Sequence, residues 1–205
     1  MPWPVTHILI AEKTFETHFH HLNRTAFILG TCFPDIRYPA QVERERTHFN
    51  HITLEGIKAK PAFNAGMHFH SLTDTAWNSY VHQHRVRLFS AIPHNSAVLH
   101  TLKILQDKYL YHMYQNWGKI TVMFETILAE EYDFGIPEVV LGGWHTLLAE
   151  YLSKSPAYDD LQMLNLTLPK DLVEDIRRYY LAYQDHPIVQ EIMIGFYDSA
   201  AQYLD

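Results

Sequence analysis

Two side chains that can bind a metal ion lie one helical turn apart in the segment from Gly66 to Trp77. His70 and Asp74 are four residues apart, which places both on the same face of a helix. A neutral imidazole beside a carboxylate can provide two ligands to a divalent ion. The same pair could also satisfy itself in a polar groove, and the segment alone leaves both interpretations open.

The helix that carries this pair is predicted to run from about Ala62 to Arg87. Gly66 precedes His70 by one turn on the same face. Because glycine has no side chain, another backbone or a ligand can approach closely at this position. Trp77 points elsewhere on the helix and is expected to be buried.

Two further candidate ligands lie near the N-terminal end of the sequence. His7 falls in the first turn of a helix that Pro4 can start. Pro34 is predicted to hold Phe33 in an extended conformation, so that Asp35 becomes a loop residue beside an apolar segment. Functional side chains concentrate in loops that a rigid scaffold holds in place.

A last candidate lies in the segment Thr47-His48-Phe49-Asn50-His51. Either histidine can serve as a ligand at this corner, and the preceding threonine favours His48. His68 is predicted to face away from His70 and to be packed or solvated.

Together, His7, Asp35, His48, His70 and Asp74 provide three imidazoles and two carboxylates. This mixture is typical of zinc sites, and iron or manganese are alternatives. A carboxylate such as Asp74 can also bridge two ions. A two-metal site suits displacement at phosphorus, because the ions stabilise both the attacking and the leaving oxygen.

The order of these residues resembles that of a known family. The chain contains an N-terminal His, then Pro-Asp-Ile, then Thr-His, then Gly-x-x-x-His-x-x-x-Asp-x-x-Trp, over about residues 4–77. This order is similar to the bacterial zinc-dependent phospholipase C family, an all-α fold shared with fungal single-strand nucleases. The resemblance implies that Asp35, His48, His70 and Asp74 hold one ion, and that His7 holds a second with Asp74 bridging. It also implies a metal-activated water as the nucleophile, with Asp35 as the catalytic carboxylate that orients it or accepts its proton.

The sequence departs from the family at two points. The secreted members use the amine of an N-terminal Trp as a ligand, whereas Trp3 is internal here. Their third ion is held by a further His and a His-x-x-x-Glu pair, and His145 precedes Glu150 by five residues rather than four. No diagnostic spacing marks the other candidates, which are His82, His84, Asp107 and His112. We therefore expect one or two ions.

Composition and periodicity predict one all-α domain over residues 1–205, with seven to nine helices. Strand and hairpin signals are weak throughout. The predicted helices cover about 4–20, 26–30, 62–87, 96–114, 119–131, 138–153, 170–183 and 187–204, with connecting loops at about 52–61 and 154–169.

The formal charge of −7 argues against a protein that binds a nucleic-acid backbone. Cys32 is the single cysteine, and the sequence has neither a signal-peptide pattern nor an apolar run long enough to span a bilayer. These features predict a cytoplasmic location.

The sequence therefore favours a metal-dependent hydrolase that acts on a phosphoester: a lipid head group, a small phosphodiester or a nucleotide. The alternative is a non-catalytic helical module with a vestigial metal site. A phosphohydrolase of the His-Asp-dipeptide type is disfavoured, because the chain contains no such dipeptide.

Overall fold

The computed structural model describes residues 3–156 and 168–204, and every regular element in these ranges is helical. The all-α prediction is therefore confirmed for this part of the chain. The predicted loop at 154–169 lies mostly outside the described residues. The α-helices are α1 (Pro4–His18), α2 (Arg24–Cys32), α3 (Arg37–Ala40), α4 (Leu54–Lys58), α5 (Ala62–Gln83), α6 (Arg85–Phe89), α7 (Ser96–Leu110), α8 (Trp117–Thr121), α9 (Ala129–Tyr132), α10 (Glu138–Leu152), α11 (Lys170–Tyr183) and α12 (Pro187–Ser199).

Short helices make the number larger than the predicted seven to nine. The segment 52–61 contains α4, where Thr53 caps the first turn by accepting a hydrogen bond from the Gly56 amide at 3.2 Å. The single helix predicted over 119–131 is instead α8, the 3-10 helix Val122–Glu125 and α9. These pieces are too short to show a clear apolar period, which is why the sequence pattern does not separate them.

The loop predicted around Asp35 is also wrong. Phe33 has φ −69° and ψ −40°, a helical conformation, and Asp35 lies in the 3-10 helix Pro34–Ile36. A proline disfavours helical geometry at the preceding residue but fits the first turn of a new helix. Here the tertiary packing of the buried Phe33 side chain outweighs the local preference.

Helix α5 is the central element of the described fold. It buries fourteen of its residues, and its predicted start at Ala62 is confirmed, although it ends at Gln83 rather than near Arg87. Trp77 is buried as expected, and its indole Nε1 donates to Gln106 Oε1 at 2.8 Å. The Gln106 amide in turn donates to the Met193 carbonyl at 2.8 Å, which links α5 to α7 and α12.

Glycines allow α2 and α5 to meet backbone to backbone. A Cβ atom at Gly66 would lie 2.1 Å from the Phe27 carbonyl oxygen, and one at Gly30 would lie 2.1 Å from the Phe63 carbonyl oxygen. The close approach that the sequence predicted at Gly66 is therefore that of another helix. The helix predicted over about 26–30 is longer at both ends, since α2 runs from Arg24 to Cys32.

None of the described helices combines the length and the apolar character that a bilayer crossing requires.

Candidate metal centre

The five residues that the sequence singled out converge on one buried cluster. They are His7 from α1, Asp35 from the 3-10 helix Pro34–Ile36, His48 from the turn after the 3-10 helix Arg44–Arg46, and His70 and Asp74 from α5. Four different parts of the chain therefore contribute to the site. The side chains of His7, His48, His70 and Asp74 are almost completely buried, whereas that of Asp35 is 22% exposed.

Asp74 lies among the three imidazoles. Its Oδ1 is 3.4 Å from His7 Nε2, and its Oδ2 is 3.7 Å from His70 Nε2 and 3.8 Å from His48 Nε2. The opposite side of the cluster is formed by Asp35, whose Oδ1 is 3.7 Å from His48 Nε2 and 4.0 Å from His70 Nε2.

These separations fit shared coordination better than direct hydrogen bonding. Hydrogen bonds between nitrogen and oxygen are about 2.7–3.2 Å long. Two ligands bonded to one zinc ion at about 2.1 Å with tetrahedral angles lie about 3.4 Å apart. The shortest distance in the cluster matches that value, and the others exceed it by a few tenths of an ångström.

The donor atoms of the cluster have no other partner. Both ring nitrogens of His7, Nε2 of His48 and His70, Oδ1 of Asp35 and both oxygens of Asp74 are buried without a hydrogen bond. Leaving one such group unsatisfied costs about 1–3 kcal/mol. Several of them aimed at one point are explained by a cation, so the residues fit a divalent metal ion.

Hydrogen bonds orient two of the three imidazoles. His70 Nδ1 lies 2.9 Å from the Thr31 carbonyl oxygen, which can only accept, so the proton is on Nδ1 and the lone pair is on Nε2. His48 Nδ1 lies 2.9 Å from Thr47 Oγ1, and that hydroxyl also reaches the Arg44 carbonyl at 3.4 Å. In both rings Nε2 therefore faces the cluster, as metal-ligating histidines require.

The close contact of α2 with α5 at Gly66 brings the Thr31 carbonyl to His70. Gly66 brings the backbone of α2 against α5 one turn before His70. The Thr31 carbonyl lies in the last turn of α2 and meets the imidazole at this point. Packing of the two helices therefore fixes the ring of His70.

The protonation states also suit a metal. Burial, together with the neighbouring His70, lowers the pKa of His7 to about 3 and that of His48 to about 2. Burial acts to raise the pKa of Asp74, but the facing His70 and His7 outweigh it and the pKa falls below its ordinary value. At neutral pH these two imidazoles are neutral and Asp74 is ionised, which are the forms that bind metals.

Asp35 behaves differently from Asp74. Burial raises the pKa of the Asp35 carboxyl group. His70 acts to lower this pKa, whereas the Asp74 carboxylate acts to raise it further. Asp35 is also the most exposed of the five side chains. It is therefore the carboxyl group that a molecule entering from solvent would meet.

The five residues form two groups of three that share His70. One group contains His7, His70 and Asp74, and the other contains Asp35, His48 and His70. Because His70 Nδ1 is committed to Thr31, only Nε2 remains as a ligand. One nitrogen binds one ion, so both groups cannot be complete at the same time.

Several other candidates lie outside both groups. His51, the alternative at the corner, is exposed and has a left-handed backbone with φ 55°. His68 stacks on Phe49 with ring centroids 3.9 Å apart, as a packed residue. His82 and His112 are exposed, and the His84 ring lies 4.4 Å from that of Tyr80.

His145 pairs with Glu131, which the sequence did not indicate. Its Nε2 lies 2.8 Å from Glu131 Oε2, and its Nδ1 lies 3.0 Å from the Phe124 carbonyl oxygen. The second Glu131 oxygen accepts from the Leu128 amide at 2.9 Å. The pair joins α9 to α10. Because every side-chain nitrogen and oxygen of the two residues has a partner, none of them is left to bind a metal.

Comparisons of the chain with protein families, with curated proteins and with solved structures give no match.

Proposed function

We propose that this protein is a divalent-metal-dependent hydrolase of phosphoesters, with zinc the most favoured ion. The observation that carries the proposal is the cluster of buried, unpartnered donor atoms from His7, Asp35, His48, His70 and Asp74. A bound divalent ion supplies Lewis-acid polarisation of a phosphoryl oxygen and lowers the pKa of water.

The single free nitrogen of His70 suggests an order of affinity. Asp35, His48, His70 and Asp74 can hold one ion with four side chains. His7 and Asp74 then remain for a second ion, which has fewer ligands and is expected to bind more weakly. This arrangement agrees with the one or two ions predicted from the sequence.

Asp35 is the proposed catalytic carboxylate. Its position at the exposed side of the cluster lets it orient a water molecule or accept a proton from it. Burial raises the pKa of Asp35, which makes its carboxylate a stronger base than an ordinary aspartate. The lowered pKa values of His7 and His48, about 3 and about 2, make these imidazoles weaker bases that do not compete for the proton.

The resemblance to the zinc-dependent phospholipase C family supports the same reaction class. It rests on the order of the residues from His7 to Trp77 and implies a phosphodiester, a lipid head group or a nucleotide as the substrate. The overall charge of −7 agrees with a small phosphoester rather than a polymeric nucleic acid.

The test combines metal analysis with a substrate panel. Purified wild-type protein is expected to contain about one or two equivalents of metal and to hydrolyse at least one phosphomonoester or phosphodiester. Both properties should be lost in His70→Ala and in Asp74→Ala. The matched control is His68→Ala, which removes an imidazole from the same helix without touching the cluster.

Two outcomes would contradict the proposal. A metal content that is unchanged in both His70→Ala and Asp74→Ala would show that these residues are not ligands. A metal-replete protein that is inactive on the whole panel would favour a non-catalytic helical module with a metal site. That second candidate is motivated by His145, since its pairing with Glu131 leaves the family's third ion without this ligand.

A further inference from the structure

Helix α1 begins without a cap of its own. Trp3 occupies the N-cap position with no side-chain hydrogen bond, and Pro4 has no amide hydrogen to satisfy. The next two amides, of Val5 and Thr6, are orphan donors in the first turn.

Asp107, from α7, supplies the missing cap. Its Oδ2 accepts from the Val5 amide at 2.9 Å, and its Oδ1 accepts from the Thr6 amide at 2.8 Å and the Thr6 hydroxyl at 2.6 Å. The Tyr151 hydroxyl donates to Oδ2 at 3.1 Å. The carboxyl group is fully buried, which raises its pKa to about 7, whereas its hydrogen-bond donors and the positive end of the helix dipole favour the ionised form.

His7 directly follows the two capped residues, and its ring has no hydrogen bond of its own. Neither ring nitrogen has a partner, whereas His48 and His70 are each fixed through Nδ1. The His7 ring stacks on that of His70, with centroids 4.0 Å apart and an angle of 10° between the planes. Without a hydrogen bond of its own, the ring is directed into the cluster by the backbone of the first turn and by this stacking.

We infer that Asp107 is the positioning residue for His7: by capping α1 across the fold, it sets the metal affinity of the half of the centre to which His7 belongs. The inference rests on the proposed metal centre. Asp107 itself touches none of the ligand atoms and acts only through the backbone of α1.

The isosteric variant Asp107→Asn tests this role. Each carboxylate oxygen of Asp107 accepts from one backbone amide, so in either orientation the Asn side chain places an NH₂ group against an N–H group that cannot accept. Zinc affinity would be measured by competition with a chromophoric chelator in wild type, Asp107→Asn, His7→Ala and the double variant. We expect Asp107→Asn to weaken the His7-dependent binding by about tenfold to a hundredfold, as is usual when a residue that orients a ligand is lost.

The double variant separates positioning from general damage. If Asp107 acts through His7, Asp107→Asn should change zinc affinity by less than about twofold in the His7→Ala background. The matched control is Thr101→Val on the same helix. It removes a buried hydroxyl group that donates to the Ala97 carbonyl at 2.8 Å. Thr101→Val should lower thermal stability and leave zinc affinity unchanged.

Thr6 provides a milder pair of variants in case Asp107→Asn does not fold. Thr6→Val removes the hydroxyl bond to Asp107, and Thr6→Ser retains it. Zinc affinity should fall in Thr6→Val and stay near the wild-type value in Thr6→Ser. Equal affinities in the two variants would overturn the inference.

Two further results would overturn it. An equal loss of zinc affinity in Asp107→Asn with and without His7 would show that the carboxylate does not act through that ring. An equal loss in Thr101→Val would reduce the effect to destabilisation of α7. In either case a strong loss in His70→Ala would leave the metal centre itself standing, whereas unchanged binding in His70→Ala would overturn both proposals.

Discussion

Gly66→Ala is the sharpest test of how the fold holds His70. The added Cβ would lie 2.1 Å from the Phe27 carbonyl oxygen and 2.7 Å from the Thr31 amide nitrogen, and both atoms belong to the backbone. Ordinary contact begins at 3.4 Å, so α2 would have to retreat by about 1.3 Å. Overpacking a tight core costs about 1–3 kcal/mol or more, against which helix propensity returns about 1 kcal/mol.

We expect the upper end of this range, which leaves a net loss of about 2 kcal/mol, because backbone atoms cannot rotate away. For a chain of this size that corresponds to a fall in melting temperature of about 4–8 °C. The retreat of α2 would also stretch the 2.9 Å bond from His70 to the Thr31 carbonyl. Zinc affinity should therefore fall by about tenfold to a hundredfold.

The matched control is Gly143→Ala, which makes the same chemical change in the middle of α10. Nothing lies within 4 Å of the added Cβ there. This variant should gain about 0.5–1 kcal/mol from lower backbone entropy in the unfolded state, with unchanged zinc affinity. Both variants would be compared by urea unfolding in chelator, followed by zinc competition. A Gly66→Ala protein as stable as wild type with full zinc affinity would refute the link between the glycine contact and the position of His70.

Three other outcomes follow from the same structure. In the metal-free protein, His7 and His48 should each lower the stability as the pH falls from 6.5 towards 3, because the unfolded rings take up protons that the folded rings do not, whereas Asp107, whose pKa burial raises to about 7, acts in the opposite direction; the loss of stability should therefore be smaller in His48→Ala than in wild type by up to about 1.4 kcal/mol per pH unit, and identical urea-unfolding profiles would contradict the lowered pKa of His48. His48→Ala should abolish tight zinc binding while His51→Ala leaves it intact, and equal losses by elemental analysis would mean that the cluster is not the binding site. Glu131→Ala should destabilise the fold by about 3 kcal/mol or more with unchanged metal content, because it leaves the buried His145 Nε2 and the Leu128 amide without a partner; a selective loss of metal would assign Glu131 a different role.

The members of the cluster could be predicted because the strongest signals for them are local. His70 and Asp74 share a face of one long helix, and Gly66 marks a close approach one turn earlier, all of which follow from helical periodicity. The structure brings these residues together with His7, Asp35 and His48. The preference for His48 over His51 also rested on a neighbour, since the Thr47 hydroxyl contacts the ring that faces the cluster.

The sequence could not reveal the groups that orient the side chains of the cluster. The Thr31 carbonyl is a backbone group, so its contact with His70 leaves no signal in the residue type. Asp107 caps the first turn of α1 through the amide of Thr6, which lies 101 residues earlier in the chain. Glu131 and His145 have no diagnostic spacing, because they lie on two helices that meet only in the fold. Such contacts depend on tertiary packing, which local periodicity does not encode.

Changes at the Gly66 contact and at Asp107 should therefore affect metal binding differently. In the proposed arrangement His70 is a ligand of the tighter ion, so a change at Gly66 or Thr31 should weaken the binding of that ion. Asp107 acts on the first turn of α1, and its loss should reach only the ion that depends on His7. If activity requires both ions, Asp107→Asn should remove turnover while the tighter ion stays bound. If one ion suffices, the same variant should keep its turnover, and the His7 half of the centre then serves binding rather than catalysis.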